Sequence, residues 1–451
     1  MGMSTTAAPP ASHTPGTTAP RRTLVAWYFY DVAISVIDAL MITFVFTTYL
    51  TSSAFGTTEH TSQVLSIGTA TAAVSIALFA PLIGRLSDRS GRRAPTIAAL
   101  TGVCVLATAA CFFVAPAEQF LLLGVILLSA ANAAKELAAV DYYAVLPGLA
   151  SAERVGRISG RGWAAGYIGS ILATTFVLFG FVSPGFVGLP TDDAVNVRAV
   201  ALFCAAWCAV FAVPLVLSLH RRERMLAPRV TETSNAAGPL GPYREIWAMV
   251  KDLWHTDRTA LFFLMASAVF RDGLSGIFTF GGVIAAGTFG FTLAEVMTFA
   301  IAGNLAAGLG ALLGGQLDDR VGPKAVIVGA LILVIAFALP LLFLDGHTVF
   351  WVCGLALCLA VGPAQASSRA YLARLTTAGT EGSLYGLYAT TGRAVSFLAP
   401  ALFTVAIYIS GEQRWGILGI LTVVVLGLFM LLPLPDPRRR DVKPAPDPTL
   451  P

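Results

Sequence analysis

The chain has 451 residues, 56% of them hydrophobic and only 12% charged, against roughly 25% charged in a soluble domain. A soluble fold could not hide that much apolar surface, so the composition excludes a soluble enzyme or binding module and implies a polytopic membrane protein. The net charge of +4 says less than the placement of the bases, and no basic domain supports nucleic-acid binding.

Residues 1–20 are rich in Thr, Ala and Pro and lack an apolar core. They are expected to be disordered, with the first span serving as the insertion signal. A helix crosses lipid with about 20 mostly apolar residues. Twelve such runs lie near 24–50, 63–84, 95–115, 119–146, 160–182, 197–219, 259–286, 294–315, 323–344, 348–372, 384–409 and 414–433. The predicted fold is an all-α membrane protein of twelve transmembrane helices in two pseudo-symmetric six-helix bundles, 21–219 and 259–434. The first, fourth and seventh runs exceed the minimum and should be tilted or bent.

A linker, 220–258, divides the halves. In its second part Ile246, Met249, Val250, Leu253 and Trp254 recur at helical spacing, with Arg244, Glu245, Lys251 and Asp252 elsewhere. This predicts an amphipathic helix on the membrane surface or against the bundle. The Pro-rich tail 435–451 is expected to be disordered, with Arg438, Arg439 and Arg440 marking the inner surface. Most Lys and Arg residues fall in the tails and the even-to-odd loops, and only Arg414 lies clearly in an opposite-side loop. That asymmetry predicts cytoplasmic termini. Arg outnumbers Lys by 25 to 4, which points to a GC-rich bacterial genome and hence the cytoplasmic membrane. Cys104, Cys111, Cys204, Cys208, Cys353 and Cys358 all fall in apolar runs without Cys-x-x-Cys spacing. They read as small buried hydrophobes, not disulfides or metal ligands.

One stretch recurs. Gly84-Arg85-Leu86-Ser87-Asp88-Arg89-Ser90-Gly91-Arg92-Arg93 shares its frame with Gly315-Gln316-Leu317-Asp318-Asp319-Arg320-Val321-Gly322-Pro323-Lys324. The repeat at about half the chain length suggests two similar halves. Each copy suits a tight turn between helix ends, where an Asp beside an Arg can pair with a neighbouring helix or its dipole. The frame resembles the loop between the second and third helices of the major facilitator superfamily, echoed between the eighth and ninth. The resemblance implies a gating role for Gly84, Asp88, Arg89, Gly91, Arg92 and Arg93, with Asp319, Arg320 and Lys324 as the counterpart.

Ionisable groups within the spans are costly, about 2.5–3.5 kcal/mol each on insertion scales, and so face partners or water-filled cavities. The first run carries Asp31 and Asp38 with Ser35 between them; the fourth has Asn132, Lys135, Glu136, Asp141, Tyr142 and Tyr143; the seventh has Arg271 and Asp272; the tenth has Gln365, Ser368 and Arg369; the eleventh has Arg393. Counted from the span starts, these groups form one polar layer where two halves would meet. Asp38, mid-span without a base on its own helix, is the first candidate for reversible protonation, followed by Glu136 and Asp272, with Asp31 as a further candidate. Arg271, Arg369, Arg393 and Gln365, with Lys135, Asn132 and Tyr143, are candidates for binding a carboxylate or other anionic solute. Static ion pairs at Lys135 or Arg271, and a purely helix-tying role for Asp31, are the alternative readings.

Several stretches resemble the branch of the superfamily similar to the vacuolar amino-acid effluxer of autophagy. These are Tyr30-Asp31-Val32-Ala33, Thr43-Phe44-Val45-Phe46-Thr47-Thr48-Tyr49, Tyr142-Tyr143-Ala144-Val145-Leu146-Pro147, Gly160-Arg161-Gly162-Trp163-Ala164-Ala165-Gly166-Tyr167-Ile168-Gly169, Gly362-Pro363-Ala364-Gln365-Ala366-Ser367-Ser368-Arg369, Tyr385-Gly386-Leu387-Tyr388 and Thr391-Gly392-Arg393. Val32, Ile34 and Arg271 depart from the branch pattern at the presumed cavity. The resemblance implies export of amino acids or related metabolites. The expected function is therefore a proton-coupled secondary transporter, acting as a monomer in the lipid bilayer on a small-molecule substrate, with no cofactor. A multidrug exporter and a transporter-like nutrient sensor are the rivals. An enzyme is disfavoured: no metal spacing, Gly-x-Ser-x-Gly, phosphate loop or nucleophile–base pair is present.

Overall fold

The computed structural model describes residues 20–182, 186–225, 241–256, 258–377 and 379–437. The expected disorder of both tails, the position of Arg438, Arg439 and Arg440, and the polar part of the linker lie outside these residues, apart from a few at the edges.

Lipid offers no hydrogen bonds, so a spanning segment must satisfy its backbone internally. The described residues accordingly form helices and no strands. Twelve helices are long and apolar enough to cross a membrane: α1 Arg21–Leu50, α2 His60–Ser90, α3 Ala94–Phe113, α4 Glu118–Gly148, α5 Val155–Phe181, α6 Asp192–Met225, α7 Arg258–Gly287, α8 Glu295–Val321, α9 Pro323–Phe343, α10 His347–Leu375, α11 Glu381–Ser410 and α12 Gln413–Leu431. Each overlaps a predicted run in order. With an even number of crossings both ends lie on one face, here termed the terminal face. One buried core draws almost wholly on α1–α6, the other mainly on α7–α12. All six cysteines are free and buried.

The repeated stretch departs from its predicted form. It is not a turn over its whole length: α2 runs to Ser90 and stops at Gly91, whose φ of 63° ends the helix. Gly84 thus lies inside α2, where a Cβ would overlap the backbone of Gly382 on α11. The glycine is there to let two helices of different halves touch, in line with small-residue packing in membranes. In the second copy α8 likewise continues to Val321 before Gly322.

Two helices are irregular. α1 widens into a π-helical stretch over Ile37–Phe44, which begins beside Asp38, a form common at functional sites. α11 breaks between Glu381–Val395 and Leu398–Ser410. The Asp272 carboxylate on α7 accepts the Ala399 N–H at 2.6 Å at that break, satisfying a donor that a helix start would leave bare.

The predicted linker helix spans Gly241–Thr256 and packs on α2 and α7. Ile246 is buried, and Met249, Val250 and Leu253 are half-buried. Trp254 departs from the predicted face: it points outward with Trp247, each flanked by a cation, Arg258 and Lys251.

The glycine contact predicts that Gly84→Leu will part α2 from α11 on the terminal face. In a cysteine-free background, Ser383→Cys, at a site buried on this contact, should react at least 10-fold faster with an impermeant maleimide added to that face in the Gly84→Leu protein than without it.

Candidate functional site

Between the halves lies a cavity of about 580 Å³. Its wall includes Asp31, Ser35, Asp38, Tyr143, Trp163 and Tyr167 from the first half, and Phe278, Phe299, Asn304, Cys358 and Ile420 from the second. The terminal-face side is sealed. α2 and α11 stay together from Gly84–Gly382 to Thr390, whose hydroxyl donates to the Ala77 carbonyl at 2.9 Å. Beyond its break, α11 packs on α12 instead.

A string of alternating charges crosses the interface. Asp38 on α1 pairs with Lys135 on α4, Lys135 Nζ lies 3.0 Å from Glu136, and Glu136 lies 2.9 Å from Arg393 on α11. Two acids and two bases cancel, which removes most of the cost of charge at this depth. Lys135 is 4% exposed, whereas the Asp38 side chain is 54% exposed, onto the cavity. The Thr43 hydroxyl donates to the Asp38 carbonyl at 2.7 Å across the widened turn.

Nearer the terminal face sits a second inter-half pair. Arg369 on α10 is buried, 3.5 Å from Asp31. Its Nε donates to Ser159 Oγ at 3.0 Å and its NH2 to the Ser159 carbonyl at 2.8 Å. The guanidinium lies over the ring of Trp27, 4.6 Å from its centroid.

At the terminal face two aspartates reach across the halves. Asp88 accepts from the Gly382 and Ser383 N–H groups at 2.8 and 2.7 Å and from the Ser383 hydroxyl at 2.8 Å. A carboxylate from one half thus caps the first turn of α11 in the other, where helix dipole and free N–H groups favour an anion. Arg93 bonds Asp88 at 2.8 Å and also lies 3.2 Å from Glu381 and 3.6 Å from Asp141. In the second copy Asp319 accepts the Arg157 N–H at the start of α5 at 3.1 Å, and Arg374 pairs with Asp318 at 2.6 Å.

The family model described as "Vacuole effluxer Atg22 like" matches residues 19–442. The chain belongs to this family. An uncharacterized MFS-type transporter, YxiO, of Bacillus subtilis (strain 168) is 22% identical to this Atg22-like chain over 425 residues, 92% of this chain and 96% of that one. Solved structures of similar fold include the proton:xylose symporter XylE (TM-score 0.70, 12% identity, 91% of this chain and 94% of that one). A bacterial homologue of the iron transporter ferroportin in an outward-facing state is also similar (0.67, 14%, 92% and 98%). So is the transporter FucP in the outward conformation (0.66, 13%, 92% and 98%). This Atg22-like protein is a multi-pass membrane protein of the major facilitator superfamily, a transporter and not an enzyme.

Of the predicted site residues, Asp31, Asp38 and Tyr143 line the cavity. Lys135, Glu136 and Arg393 join Asp38 behind its wall, as Arg369 joins Asp31. Asn132 and Gln365 are half-buried and off the wall, and Asp272 is engaged at the α11 break. Arg271 stacks 3.8 Å over Tyr388; its buried NH1 makes no hydrogen bond and no carboxylate among the described residues pairs with it.

Of the bases expected to join Asp88 (Arg89 with Arg92 or Arg93) and Asp319 (Arg320 and Lys324), Arg93 alone does so. Asp88 is held by Arg93, not Arg89, because Arg89 and Arg85 point to Glu245 of the linker helix. Arg92 is exposed. Asp319 meets Arg157 and Arg374 in place of Arg320 and Lys324; Arg320 is exposed and Lys324 bonds the Leu432 carbonyl at 2.7 Å. Sequence reasoning missed Ser159, Glu245, Asp318, Arg374 and Glu381. Of these, Asp318 alone could have drawn notice, as the acid beside Asp319 in the repeat.

Charge-assisted hydrogen bonds contribute about 1.5–3 kcal/mol each, so Asp88→Asn, which weakens several, should loosen the closed terminal face. Turnover is expected to fall about 10-fold or more while ligand affinity changes less than 3-fold, as read from transport kinetics beside equilibrium binding. Equal losses in both would contradict this.

Proposed function

We propose that this protein is a proton-coupled secondary transporter that exports a small solute, an amino acid or another carboxylate-bearing metabolite, by rocking its halves about the central cavity. The carrying observation is the Asp38–Lys135–Glu136–Arg393 string, because one protonatable group exposed to the cavity is wired to the opposite half. Protonating Asp38 removes one of its two negative charges and leaves Lys135 with Glu136 alone, which shifts the Glu136–Arg393 contact that joins the halves. A ligand or proton shifts such an equilibrium only by its unequal affinity for the two states, and this string supplies that inequality. The preponderance of bases on the terminal face supports placing that face in the cytoplasm of a bacterium; the sealed seam then corresponds to an outward-open state. Arg271, off the cavity wall but stacked on Tyr388 and without a carboxylate partner among the described residues, supports an anionic group on the solute.

A second reading has one observation in its favour. Much of the cavity wall is apolar, with Phe278, Phe299, Ile417 and Ile420, as a multidrug exporter would require. A purely cationic drug as the best substrate would decide for that reading.

In proteoliposomes, Asp38→Asn is expected to abolish accumulation driven by a pH gradient while keeping measurable solute exchange. A variant that still concentrates solute under the gradient would remove Asp38 as the coupling group.

A further inference from the structure

The surroundings of Arg369 exceed what an ion pair needs. Besides Trp27, its guanidinium faces Tyr143 at 5.2 Å, Trp163 at 5.8 Å and Tyr142 at 5.9 Å from the ring centroids. The four rings, Asp31 and Ser159 all belong to the first half, and only the cation comes from the second. A carboxylate ringed by aromatic faces is a general receptor for organic cations. Gly162 makes room for it, since a Cβ there would overlap the Asp31 carboxylate and crowd Trp27 and Arg369.

Two details separate the receptor from its present occupant. Asp31 Oδ2 and Arg369 NH1 are buried and neither makes a hydrogen bond; their 3.5 Å separation is an ion-pair distance at the outer limit of hydrogen bonding. The acid therefore has an acceptor that Arg369 leaves unused. Asp31 also lines the cavity, whereas Arg369 does not.

We infer that the Asp31 cage is a binding site for a cationic head group, an ammonium or a guanidinium, of the transported solute, and that Arg369 is its tethered competitor. The inference rests on the proposed rocking of the halves. When the terminal face opens, α10 carries Arg369 away and leaves the acid and rings unneutralised, ready for a cation from that side. When the face closes, Arg369 returns and expels the solute's cation toward the cavity. A solute with a carboxylate alone would leave Asp31 unpaired in the open state and so bind poorly.

The test uses the full-length protein with Arg369→Ala, which empties the cage in every state; Arg369→Gln serves if the alanine variant does not fold. Methylguanidinium and methylammonium at millimolar concentration should raise the melting temperature of the variant by several degrees. Urea, of similar shape without charge, should not, and adding Asp31→Asn should abolish the shift. Equal effects of methylguanidinium and urea, or a shift that survives Asp31→Asn, would overturn the inference. In wild-type proteoliposomes, counterflow of free amino acids should exceed that of their N-acetyl derivatives at least 10-fold. Equal counterflow of both would overturn the cage and leave the carboxylate reading standing. Counterflow of simple amines without any carboxylate would support the cage and sink the carboxylate.

Discussion

Charge buried in a membrane must be neutralised, and this protein finds much of the neutralising charge across the seam between its halves. Arg393 meets Glu136, Arg369 meets Asp31, and Arg157 meets Asp319, each across the interface. The Asp88 carboxylate likewise needs the first turn of α11. Parting the halves on one face therefore exposes several unpaired charges at once. In the proposed rocking, this would give two-state character to a motion that apolar packing alone would leave graded.

The three levels of contact differ in chemistry. At the terminal face the partners are carboxylates and helix starts, in a pseudo-symmetric arrangement of Asp88 on α11 and Asp319 on α5. Below it, a single guanidinium is enclosed by aromatic rings and the Ser159 acceptors. At the cavity, the Asp38 string is most exposed at Asp38, which lies on the cavity wall, and is buried at Lys135. The contacts between the halves thus run from carboxylates on helix starts at the face, through the enclosed guanidinium, to the Asp38 string beside the cavity. The linker helix joins the first level through Glu245, which holds Arg85 and Arg89 of α2.

The twelve spans and their order were legible because twenty-residue apolar runs have few other uses. The repeat was legible because each copy carries charges where apolar residues would otherwise stand. Its local form was not. Gly84 read as a turn glycine, and only its overlap with Gly382 on a helix nearly 300 residues away identifies it as a contact glycine. Arg89 and Arg93 have the same charge and neighbouring positions in the sequence, yet helix α2 aims one at the linker helix and the turn aims the other at Asp88.

The sequence by itself determined the membrane class, the helix count, the two-halved plan and the set of ionisable residues at mid-membrane depth, because each of these is a matter of composition and spacing along one chain. Only the tertiary structure decided which acid meets which base. Asp38 took Lys135 from α4 and Asp31 took Arg369 from α10, partners separated by tens to hundreds of residues. Depth places a charge in a layer, but rotation about the helix axis and the packing of the halves choose its partner, and neither is written in the hydrophobic pattern.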